Sequence, residues 1–195
     1  MEVRQTSLPD VLELVPTVHG DARGFFHETF RRDQFAGTAL ADVEFPQENH
    51  SRSSRGVLRG MHFQIGAGIG KLVRCARGTI FDVAIDLRRG SPTYGEWAGF
   101  ELDDRELRQV WIPAGFAHGF YTCSEVADVV YKQTGYYAPE LERSVAWDDP
   151  DVGVSWPLHG APLLAARDAA APRLREIERE LPFVYEGRPD PSGLS

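Results

Sequence analysis

Long apolar runs are missing from this chain. No stretch approaches the roughly 20 residues that a membrane-spanning helix needs. The N-terminal MEVRQTSLPDVLELV has no apolar centre of the kind a secretory leader carries. The expectation is therefore a cytoplasmic protein with no membrane partner. Cysteine is scarce: Cys75 and Cys123 are the only two, and neither stands in a CxxC spacing. That excludes a disulfide scaffold and a thiolate metal site, and both thiols are expected to be buried small apolar groups. Positive charge is also in short supply, with 21 Lys and Arg against 29 Asp and Glu and a net charge of −8. A basic surface for nucleic acid is thereby excluded. An anionic small molecule is not, because Arg and Lys gathered in one pocket set a local field regardless of the total. Internal repeats and long helical patterns are lacking too.

What the chain does have is a series of short β-like runs between turn-formers. FFHETF (25–30) follows the turn DARG, and RGVLRGMHFQ (55–64), KLVRCA (71–76), TIFDVAIDL (79–87) and EWAGFEL (96–102) come next. The series continues through RQVWIP (108–113), GFYTC (119–123) and VADVVYKQ (126–133). Many short strands at this spacing indicate an antiparallel sandwich or barrel. One helix is expected around PRLREIERELP with Pro172 at its start, and a shorter one at RRDQFAG. The length suits a single domain over residues 1–185, with a flexible tail at 186–195.

WIPAGFAHGF places Pro113, Gly115 and His118 in the pattern P-x-G-x-x-H, which resembles the second motif of the cupin jelly rolls. The fold class expected is all-β, a cupin-type jelly roll (double-stranded β-helix) with a few short peripheral helices. A metal-binding cupin also needs two histidines one residue apart and a nearby carboxylate. The corresponding stretch here, RGVLRGMHFQ, supplies only His62. No metal and no other cofactor are expected.

From Leu12 to Pro172 the chain resembles the dTDP-4-dehydrorhamnose 3,5-epimerases and related deoxysugar epimerases. The resemblance rests on an ordered set: DARGFFHETF, FPQENHSRSSRGVLRGMHFQ, GKLVRCARGTIFDVAIDLRRGSPTYGEW, VWIPAGFAHGF, VVYKQTGYYAPELERSVAWDDPDVGVSWPL and ARDAAAP. It implies a homodimer of jelly rolls acting on a dTDP-sugar inside each barrel. His62 would be the base, Asp168 its carboxylate partner, Lys71 the group facing the oxygen at C4, and Tyr131 the proton donor on the other face. Arg59, His118, Gln47, Asn49, Glu142 and Arg167 match positions that hold the substrate. Tyr137 matches an aromatic that stacks on the thymine. Arg23 and Glu28 match nucleotide contacts reached from the partner subunit.

The chemistry explains these residue types. Hydrogens at C3 and C5 of a 4-keto sugar are acidic because either carbanion delocalises onto the C4 oxygen. Inversion needs a base, an oxyanion stabiliser and an acid on the opposite side. Histidine titrates near 6.5 and suits the first role, especially with an aspartate fixing its tautomer. A lysine suits the second and a phenol the third. Each residue alone has an ordinary structural explanation: His62 as a satisfied core histidine, Lys71 as a strand-end charge, Tyr131 as core, Tyr136–Tyr137 as a sheet edge, Asp168 as a helix start, Arg23 and Glu28 as a surface pair. Arg59 and His62, three apart, would face opposite sides of a regular strand. Either Gly60 marks a bulge that turns both inward, or Arg59 reaches around the barrel mouth. The competing functions are a metal-dependent cupin, an inert sugar-nucleotide binder, and an epimerase acting at C3 only or C5 only.

Overall fold

In the computed structural model, which describes residues 1–38 and 40–187, nearly all regular structure is β-strand. The strands are β1 (Glu2–Gln5), β2 (Leu12–Val15), β3 (Val18–Asp21), β4 (Gly24–His27), β5 (Gln47–Ser54), β6 (Leu58–Gln64) and β7 (Lys71–Arg77), followed by β8 (Thr79–Asp86), β9 (Trp97–Asp103), β10 (Gln109–Ile112), β11 (Phe116–Thr122), β12 (Val126–Gln133) and β13 (Glu142–Ser144). The helices α1 (Ala166–Ala169) and α2 (Leu174–Ile177) are single turns. One six-stranded sheet has the order β1-β2-β10-β7-β12-β5, a five-stranded sheet has the order β13-β6-β11-β8-β9, and β3-β4 forms a separate hairpin. Between β5 and β12 the chain changes sheet at nearly every connection, so each sheet is built from alternate strands and the two stack face to face. No helix among the described residues is long and apolar enough to cross a membrane.

Side-chain alternation divides the apolar residues into three layers. Val73 and Cys75 of β7 and Ala127 and Val129 of β12 face Ile80 and Ala84 of β8 and Phe116 and Phe120 of β11 across the sandwich. The outer face of the five-stranded sheet, with Met61, Val83, Ile85 and Ala117, is covered by Val145, Leu174, Leu181 and Phe183. The outer face of the six-stranded sheet, with Leu12, Leu14, Leu72 and Trp111, is covered by Phe35 and Leu40. Full burial of each such aliphatic contributes about 1.5–3 kcal/mol. The C-terminal segment is further tied down by Arg88, whose guanidinium bonds Asp86, Asp10 and the Pro9 carbonyl and lies over the rings of Phe116 and Tyr185.

Several expectations need correction. The strand expected over 25–30 is β4, which ends at His27; Arg31 and Gln34 hold Glu28 as the chain turns into a 3-10 helix at Arg32–Phe35, within the expected RRDQFAG. The strand expected from Arg55 begins at Leu58, because Arg55–Gly56 belong to a turn whose N–H groups bond Glu125 and Thr122. The expected C-terminal helix shrinks to Leu174–Ile177 plus a 3-10 turn, with Pro172 two residues ahead of it. Its Arg173 and Leu174 N–H groups are capped by Glu176 and Asp149, and the chain then turns so that Leu181 and Phe183 reach the sheet. Cys75 is buried as expected, but Cys123 is only half-buried, at the end of β11. Tyr136 and Tyr137 follow β12 as exposed loop residues and close no sheet edge. Of the expected tail, residues 188–195 lie outside the described residues.

Candidate active site

Toward one part of the sandwich interior the inward-facing row changes from apolar to polar. On β7 the sequence of inward residues is Cys75, Val73, Lys71; on β12 it is Ala127, Val129, Tyr131, Gln133. A cavity of about 530 Å³ opens there. Every expected site residue lines it except Arg23 and Glu28.

His62 comes from β6 and Asp168 from α1, and His62 Nε2 lies 2.7 Å from Asp168 Oδ1. A carboxylate only accepts, so Nε2 carries the proton and Nδ1 is left with the free lone pair. Burial pushes the Asp168 carboxyl up, but the His62 hydrogen bond and charge, the Gly60 N–H and Arg167 outweigh it and hold it below the usual range. The question left open at Arg59 resolves as a bulge. His62 pairs with His118 while Arg59 pairs with Phe120, so three steps on β6 oppose two on β11. Gly60 sits in the bulge at φ +142°, and a Cβ there would lie 2.5 Å from the Gly119 Cα. Arg59 therefore reaches the same cavity as His62, steadied by Nε donating to Ser53 Oγ at 3.0 Å.

Directly across from His62, His118 bonds through Nε2 to Asp82 Oδ2 at 2.8 Å. Burial holds the His118 imidazole below its ordinary range, against the opposing pull of Asp82. Burial also lowers the Lys71 amine to about 8, with Asp82 and Glu142 resisting. On β12, burial raises the Tyr131 phenol, which the Asn49 amide on the paired strand partly offsets. His62 and His118 belong to one sheet, Lys71 and Tyr131 to the other.

At the rim, Glu142 accepts from Tyr137 Oη at 2.8 Å and from Arg167 Nη1. Arg167 also approaches Asp168, at 3.5 Å, so the rim is linked to the His62 pair. Gln47 and Asn49 project from β5 and bond one another, and Asn49 bonds Gln133. Arg23 and Glu28 stand on and just after the β3–β4 hairpin, outside the cavity. They do not pair with each other: Arg23 bonds Asp21, and Glu28 bonds Arg31 and Gln34.

Asp82 and Gln133 are among the groups at the site that escaped the sequence reading. Asp82 is fully buried within the otherwise apolar stretch IFDVAI of β8; an acid in the middle of such a stretch is the signal that points to it. Gln133 is two residues beyond Tyr131, hence on the same face. Among the described residues, no group of three or more His, Cys, Asp or Glu side chains is placed to hold a metal ion. Both cavity histidines are instead committed to single carboxylates.

An antiparallel two-sheet fold with a carboxylate-backed histidine, a half-buried lysine and a tyrosine around one cavity defines a cupin-type isomerase. The family model for dTDP-4-dehydrorhamnose 3,5-epimerase matches residues 5–176, and the chain belongs to that family. It is 52% identical over 168 residues to the dTDP-4-dehydrorhamnose 3,5-epimerase of Pseudomonas aeruginosa, covering 86% of this chain and 93% of that relative. A dTDP-6-deoxy-D-glucose-3,5-epimerase of Legionella pneumophila, solved in complex with dTDP-4-keto-L-rhamnose, superposes with a TM-score of 0.91 at 44% identity, covering 95% of this chain and 99% of that one. A 3'-monoepimerase of Streptomyces bikiniensis, in complex with dTDP-quinovose, gives 0.83 at 38% identity, covering 90% and 89%.

Proposed function

We propose that this chain epimerises a dTDP-4-keto-6-deoxy-glucose at C3 and C5 through an enolate. The observation that carries the reading is the placement of His62 and Tyr131 on opposite sheets around one cavity, with Lys71 beside Tyr131's strand. A sugar ring lying between the sheets would meet a base on one face and an acid on the other. His62 Nδ1 takes the proton from C3 or C5 as the C–H bond breaks. The electron pair moves onto the C4 oxygen, which the Lys71 ammonium stabilises. The Tyr131 O–H then gives its proton to the same carbon from the opposite face, leaving a phenolate, and solvent resets both groups. Asp168 holds the His62 tautomer and supports the imidazolium.

Arg59 pairs with the diphosphate, where a planar guanidinium can bond two oxygens. Tyr137 stacks on the thymine, while Gln47, Asn49, His118, Glu142 and Arg167 hold the rest of the nucleotide sugar. The enzyme works as a metal-independent homodimer in the cytoplasm, with Arg23 and Glu28 reaching the neighbour's nucleotide. The exposed Phe25 and Phe26 beside them support a covered hairpin. The family likeness to a 3'-monoepimerase favours one alternative, inversion at C3 alone.

Incubation with dTDP-4-keto-6-deoxyglucose in deuterated water tests the reading. NMR should show deuterium at C3 and C5 with both centres inverted. Deuterium at C3 only would establish the single-carbon alternative, and no incorporation at either carbon would sink the proposal.

A further inference from the structure

The amides on β5 and β12 form a circuit with a single polarity. Tyr137 N–H donates to Gln47 Oε1 at 2.9 Å, and Gln47 Nε2 donates to Asn49 Oδ1 at 2.9 Å. Asn49 Nδ2 donates to Gln133 Oε1 at 2.8 Å, and Gln133 Nε2 donates to the Gly135 carbonyl at 3.5 Å. An isolated side-chain amide can flip by exchanging its oxygen and nitrogen. This chain cannot, because it starts at a backbone N–H and ends at a backbone C=O, both supplied by the turn after β12. Reversing any amide would set donor against donor or acceptor against acceptor at its neighbours. Each amide spends one N–H and one oxygen on the circuit and keeps a second N–H to offer elsewhere. Asn49 is the cross-strand partner of Tyr131, and Gln47 that of Gln133, so all four side chains share the cavity face of adjacent strands.

We infer that Gln133 is a positioning residue for proton donation: by accepting from Asn49 it fixes that amide so its remaining N–H faces the Tyr131 oxygen and supports the phenolate left when Tyr131 gives up its proton. Burial opposes that phenolate, and the Asn49 amide opposite Tyr131, followed by the Arg59 charge, offsets it. Gln133 is itself buried, at 4% exposure, and acts through Asn49. The inference rests on Tyr131 being the acid.

The test is the ratio of inversion to deuterium exchange with retention, which cancels effects on binding. Exchange with retention needs only His62 and Lys71, whereas inversion needs Tyr131. Gln133→Met should lower inversion about tenfold, the worth of a lost hydrogen bond to a charged group, and leave exchange unchanged. In a Tyr131→Phe background the same substitution should cost nothing further, since it acts through the missing hydroxyl. Asn49→Asp keeps the side-chain shape and removes the donor, so whatever it does to binding it should lower the ratio of inversion to exchange by a similar factor, even if Gln133→Met proves unstable by thermal melt. Equal losses of exchange and inversion, or a Gln133→Met penalty undiminished in Tyr131→Phe, would overturn the inference. If Tyr131→Phe alone loses inversion but Gln133→Met and Asn49→Asp do not, this inference alone fails. If Tyr131→Phe inverts at the parent rate, the acid assignment fails and takes the inference with it.

Discussion

His62 and His118 sit opposite one another on neighbouring strands, each bonded through Nε2 to one aspartate, yet their surroundings differ. The His62 carboxylate arrives from a helical turn late in the chain, and the His62 side chain keeps 16% of its surface exposed. The His118 carboxylate comes from the adjacent strand β8, the imidazole is 8% exposed, and burial disfavours its charged form. A histidine that must accept a proton needs access and a partner that welcomes the imidazolium. One that only holds a ligand is better kept neutral. The same side-chain pair therefore supplies two different properties, set by where the acid comes from and how much water remains.

Substitutions at the two pairs should separate accordingly. His62→Ala should abolish both exchange and inversion, a loss of at least about 10⁴-fold in kcat, because no enolate forms; measurable deuterium entry at parent rates would reverse the assignment of the base. Asp168→Asn should come next, lowering kcat by roughly 10²–10⁴-fold with KM little changed, since the amide no longer enforces the Nε2-H tautomer. A smaller effect is expected at the buried pair, where His118→Asn should raise KM by about tenfold and leave most of kcat. If its kcat instead collapses to the His62→Ala level, the proposed division of labour is wrong. On the opposite sheet lies Lys71, whose amine burial lowers to about 8. The ammonium is the useful form, so kcat/KM should fall as pH rises through that value, separately from the loss at acid pH when the base is protonated; no alkaline fall up to pH 10 would remove Lys71 from that role. The smallest effect expected is none at all: prolonged chelation should leave activity unchanged, and loss that one metal restores would contradict the metal-free reading.

How much of this was legible in the sequence depended on the type of signal. Strands β7, β8 and β12 could be outlined because their inward residues are mostly apolar and alternate. Strand β5 could not, because its inward residues Gln47, Asn49 and Ser51 are as polar as its outward ones, and a polar alternation has no hydrophobic period to detect. The short β1, β2, β3 and β13 were also missed, whereas β4 and β10, equally short or nearly so, were outlined beside a turn signal. His62, Lys71 and Tyr131 were found through an ordered motif set, and the cavity gathers them. Asp82 lay inside a matched segment but outside its motif residues, and Gln133 is defined by a relay that closes only when β5 and β12 pair. Arg23 and Glu28 show the other limit: the positions match the family, but a single chain leaves them on an exposed hairpin.

The contact between Gly60 and Gly119 also limits how this site can diversify. A Cβ at Gly119 would lie 2.7 Å from the Arg59 carbonyl oxygen and 2.9 Å from the Gly60 Cα, so neither position can grow even by a methyl without driving two backbones apart. The spacing of the two histidines is locked by the close approach of these two glycine backbones. Change of substrate must then come from the rim, where Ile69, Tyr137 and Leu163 are carried on connecting segments that can be lengthened or replaced. A saturation library would show two glycines as intolerant as His62, beside rim positions such as Ile69 and Leu163 that accept more residues and shift specificity.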